Sequence, residues 1–146
     1  GILLDLESAV SDWTHQIQRI VQQEAQKQPQ GKGPLAEIEF WRSKSASLST
    51  LYEQLNLPHI KRVIRVLETA ANKNESDAFR EFDAQLKELT KVHVEAKDNV
   101  KFLSTLERHF KIISQGSLSE IADCIPPMMT AIRMVWVISR HFNSDE

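Results

Sequence analysis

Cysteine is almost missing from this chain: Cys124 is the single one in 146 residues. One thiol excludes an internal disulfide framework and fits a reducing compartment. Glycine and proline are scarce, at 4 and 5 residues, which argues against a disordered or collagen-like chain and for few turns. An excess of one charge sign is also lacking. The net charge of −2 gives no reason to invoke nucleic acid or an anionic membrane surface. The longest apolar run, Met128 to Ile138, is interrupted by Arg133 and is too short to span a bilayer. No secretory leader opens the chain. It begins on Gly1 and stops at Glu146 without an obvious closing element, so the expectation is a segment of something larger. With 41% apolar residues, the length suffices for one ordinary domain with a real core.

Recognisable catalytic chemistry is lacking too. Gly31-Lys32-Gly33 has neither the preceding strand nor the remaining spacing of a phosphate loop. The five histidines, His15, His59, His93, His109 and His141, are scattered, and no Cys/His group has zinc spacing. A carboxylate di-metal bundle needs two Glu-x-x-His units, whereas Asp12-x-x-His15 stands alone. His93 lies on an apolar stripe, where a satisfied, partly buried histidine is the ordinary reading. Cys124, between Ile121 and Ile125, reads as a small buried thiol, with no histidine close in sequence to activate it. No catalytic, cofactor-binding or metal-binding residue is assigned from these patterns.

What the chain does have is helical periodicity, in five stretches. The first, over 2–28, carries Leu6, Val10, Trp13, Ile17, Ile20 and Glu24 at intervals of three or four, with Val21 widening the stripe. The polar run Gln22 to Gln30 leads into the loop Pro29-Gln30-Gly31-Lys32-Gly33. Pro34 opens a helix over 34–55, where its missing N–H costs nothing. Leu35, Ile38, Trp41, Ser45, Leu48, Tyr52 and Leu55 form its stripe. Asn56-Leu57-Pro58 turns the chain into a third helix, 58–72, with Ile60, Val63, Ile64, Leu67 and Ala71. So short a turn predicts antiparallel neighbours.

Asn72-Lys73-Asn74-Glu75 is the next punctuation, with Asn74 or Ser76 as candidate cap of a fourth helix over 76–114. That helix carries Phe79, Phe82, Leu86, Leu89, His93, Ala96, Val100, Leu103, Leu106, Phe110 and Ile113 without a breaker. Unbroken, it would run about 55 Å at 1.5 Å per residue, so a bend is expected at Lys97-Asp98-Asn99. Gln115-Gly116 ends it, and Ser117-Leu118-Ser119-Glu120 reads as a capping box. A fifth helix over 118–142 follows, with Leu118, Ile121, Ile125, Met129, Ile132, Val135 and Ile138 as its stripe. Pro126-Pro127 predicts a break or kink there. Val135-Trp136-Val137-Ile138 is apolar on all sides, as a helix surrounded by neighbours would be. No strand pattern or fixed repeat appears. The predicted fold is all-α: an elongated antiparallel bundle of about five helices, 1–146 forming a single segment.

Two surface features bear on partners. Lys61, Arg62 and Arg65 lie within an amphipathic pattern and read as a solvated face or as a contact for an acidic partner. Phe40-Trp41-Arg42 places adjacent aromatics about 100° apart, so one of them can face outwards beside an arginine as a partner anchor. Phe102 and Phe142 raise the same possibility, while Trp13 and Trp136 sit on apolar faces and read as core.

At this point particular wording becomes recognisable. Pro34-Leu35-Ala36-Glu37-Ile38-Glu39-Phe40-Trp41-Arg42, with Leu48 and Glu53-Gln54-Leu55, resembles the first conserved region of the dynein heavy-chain tail, as does the upstream Glu7, Trp13, Gln16, Ile17 pattern. Glu95 to Glu107 is similar to that family's EAxDNVKFLxTLE signature. Ala131-Ile132-Arg133-Met134-Val135-Trp136 and Ile138-Ser139-Arg140-His141-Phe142-Asn143 resemble its closing block. Each motif alone is mostly helix pattern; four in order, over nearly the whole chain, are specific. The wording resembles axonemal more than cytoplasmic heavy chains and does not separate inner from outer arms.

The resemblance implies a non-catalytic stem segment of a large motor, located in the cytoplasm, cytoskeleton and ciliary or flagellar axoneme. ATP hydrolysis would belong to a distant ring. Implied partners are other dynein heavy chains, intermediate and light chains, and axonemal docking factors or the doublet microtubule, with no nucleic acid, membrane or cofactor. Which residues bind them is unknown from the sequence. The rival readings are a helical-bundle scaffold or adaptor outside this family, and an enzyme with a metal or cofactor in the bundle core.

Overall fold

The computed structural model describes residues 1–71 and 76–143, the side chains of Ala71, Ser114 and residues 135–143 excepted. Among the described residues there are five α-helices and no strand, the all-α bundle expected from the sequence. They are α1 (Ile2–Gln26), α2 (Pro34–Leu55), α3 (Pro58–Ala71), α4 (Asp77–Gln115) and α5 (Leu118–Asn143).

The helix starts follow local chemistry. Gly33 adopts φ +99° and its carbonyl accepts from Glu37 N–H, so Pro34 sits at the first helical position of α2. Gly31 is likewise left-handed, at φ +124°. Pro58 opens α3 in the same way, with Leu57 carbonyl accepting from Lys61 N–H. Of the two candidate caps of α4, Ser76 is the one described: its Oγ accepts from Phe79 N–H at 3.2 Å. Asn74 lies outside the described residues. The capping box of α5 is complete. Ser117 N–H donates to Glu120 Oε1 at 3.2 Å, and Glu120 N–H donates to Ser117 Oγ at 3.3 Å.

Gly116 ends α4 without a left-handed φ. Its necessity is steric, because a Cβ there would lie 2.6 Å from the Ile112 carbonyl oxygen.

The chain divides into two compact units, each built from two separated stretches. Unit 1 comprises Gly1–Lys27 and Ala46–His93. In it α1 packs on α3, and Val10, Ile17, Leu48, Leu51, Leu67, Phe82 and Leu89 are buried. Thr14 shares the buried face of α1 because its hydroxyl donates back to Val10 carbonyl at 2.9 Å. Leu48, Leu67 and Leu89 are fully buried, a class of site where truncation to Ala costs about 2–5 kcal/mol.

Unit 2 comprises Gln28–Ser45 and Val94–Glu146. Its core joins Ile38 of α2, Leu103 and Leu106 of α4, and Ala131 of α5, with Trp41, Phe110 and Met128 packed against them.

The structure departs from the sequence expectations at four places. In α2, Leu35 is 66% exposed and Leu51 is buried, so the stripe runs through Ile38, Leu48 and Leu51. In α4, the polar Asn99 and His109 join the buried residues. In α5, the expected stripe is one residue out of phase. Leu118, Ile125, Met129 and Ile132 are exposed, while Cys124 and Ala131 are buried. Apolar residues lie on both sides of α5 here, and it is the small Cys124 and Ala131 that are buried. Finally, Pro126 and Pro127 lie inside α5 without interrupting it. They and the preceding Ala122 and Asp123 are exposed, so water can satisfy the carbonyls that the prolines leave without donors. The Trp136 and Phe142 side chains, read as core and as possible anchor, lie outside the described residues.

Candidate interaction surfaces

Among the described residues no group of three or more His, Cys, Asp and Glu side chains could hold a metal. Cys124 is buried and its thiol donates to Ile121 carbonyl at 3.2 Å. His93 is half-buried in unit 1, its ring stacked on Tyr52 at 4.7 Å and its Nδ1 3.4 Å from Ser49 Oγ. It is therefore engaged in packing between α2 and α4 rather than presented to a ligand. No helix is long and apolar enough to cross a membrane among the described residues.

The aromatic candidates resolve differently from one another. Trp41 turns onto the core of unit 2, whereas Phe40, one residue earlier, is half-buried at its edge. Their rings meet edge to face at 5.2 Å, and Lys44 Nζ stands over both, at 5.2 Å from Phe40 and 5.3 Å from Trp41. Phe102 is also half-buried, with Lys101 Nζ 5.7 Å above its ring. None of the three is fully buried, so each keeps a face that another surface could meet.

Beside them Arg42 grips Glu107 with both guanidinium nitrogens at 3.2 Å, tying α2 to α4 within unit 2. Glu39 lies 3.6 Å away on the other side. Hydrogen bonding to Glu107 is the main influence raising the already high pKa of Arg42. The fork-to-fork geometry fixes orientation as well as charge. This pair was missed in the sequence, where Arg42 and Glu107 stand 65 residues apart.

Unit 1 presents a surface of another kind on α3. Lys61, Ile64 and Arg65 line an open hollow of about 450 Å³ together with Tyr52, Leu55, Asn56, Phe82, Leu86 and Thr90. A second, shallower hollow of about 460 Å³ follows along the same helix, lined by Arg62, Arg65, Val66, Thr69 and Ala70. Arg65 borders both. Lys61 and Arg65 of the basic stripe singled out in the sequence thus border the first hollow, which periodicity could not show because α2 and α4 supply the rest of its lining.

Residues 3 to 146 match the family model described as dynein heavy chain, N-terminal region 1. It is 53% identical over 145 residues to the dynein-1-alpha heavy chain of the flagellar inner arm I1 complex of Chlamydomonas reinhardtii, covering 99% of this chain. With human dynein axonemal heavy chain 10 it shares 51% identity over 144 residues, 97% of this chain. The flagellar outer arm beta chain of Chlamydomonas reinhardtii is 32% identical over 145 residues, 96% of this chain. In each case the chain spans about 3% of the relative's length. That tail region lies outside the catalytic motor ring of those heavy chains. Matched end to end and in motif order, the chain belongs to the dynein heavy chain family, as part of its N-terminal region 1.

Proposed function

We propose that this chain is a non-catalytic structural and assembly segment of an axonemal dynein heavy-chain tail. In that role it supports heavy-chain association, binds or positions intermediate and light chains, and helps anchor the motor arm on the doublet microtubule of the axoneme. The observation that carries this reading is the full-length, in-order match to tail region 1, with flagellar and axonemal heavy chains as relatives. An inner-arm heavy chain is favoured, because the I1 alpha chain stands at 53% identity and the outer-arm beta chain at 32%. Long helices suit a part whose work is to hold shape under load, since helix backbone bonds are satisfied internally. No cofactor is proposed for it.

The test uses the full-length heavy chain in its cilium. Leu103→Asp with Leu106→Asp places two charges in the core of unit 2 and disrupts it. Axonemes imaged by electron cryotomography are expected to lack the arm, while ATP turnover per motor ring of the purified chain is unchanged. A full complement of arms in the variant would overturn the proposal.

A further inference from the structure

We draw no further inference here: the strongest candidate, the exposed apolar face of α5 bearing Leu118, Ile125, Met129 and Ile132, carries nothing because nothing in the structure shows what covers it.

Discussion

At the scale of single residues, polar groups in the core are the least expected feature. Asn99 is 1% exposed, and among the described residues its Oδ1 has no hydrogen-bond partner. A buried unsatisfied polar atom costs about 1–3 kcal/mol, and an apolar replacement of similar shape removes that cost. Asn99→Leu is therefore expected to raise stability by about 1 kcal/mol, read as a higher midpoint in urea unfolding. A lowered midpoint would show that the amide is bound by something its replacement cannot match. In the sequence Asn99 reads only as part of a bend that an overlong helix would need. Its burial depends on what packs opposite, which periodicity does not contain. Cys124 was legible for the opposite reason: a small thiol between two isoleucines has few other places to go. The Arg42–Glu107 pair and the Tyr52–His93 stack were not legible, since each joins residues of different helices.

At the scale of helices, punctuation was read more faithfully than faces. Pro34, Pro58, Ser76 and the Ser117–Glu120 box act through neighbours three or four residues away, so the local wording contains the whole interaction. Faces fail where apolar residues lie on more than one side of a helix: in α5, Cys124 and Ala131 are buried while Ile125, Met129 and Ile132 are exposed. The start of α5 carries a pH dependence. The Ser117 backbone N–H, and then its hydroxyl, bind Glu120 in its charged form and lower its carboxyl pKa from the usual 4.5. A depressed folded pKa means the contribution is complete above the ordinary value and is lost as pH falls through the lower folded one. The first turn of α5 is thus expected to fray on acidification below about 4.5, relative to its state at neutral pH. Amide-exchange protection at Glu120 and Ile121, compared between wild type and Glu120→Gln, checks this. The variant is expected to start less protected and to change less with pH.

At the scale of the whole molecule, neither unit is a continuous stretch of chain. A chain cut after His93 retains Ile38 and Trp41 but loses Leu103, Leu106 and Ala131, the residues that cover them. It is expected to bind an apolar-surface dye such as ANS more strongly than the 146-residue chain; equal binding would mean that residues 28–45 find other cover. The same discontinuity has a consequence in time. A ribosome delivers Ile38 and Trp41 long before the part of α4 they pack against, and the Arg42–Glu107 separation measures the delay at 65 residues. At about 5–20 residues per second this is roughly 3–13 s. For those seconds the nascent chain carries an uncovered aromatic patch, a stretch that a cotranslational holding factor would shield.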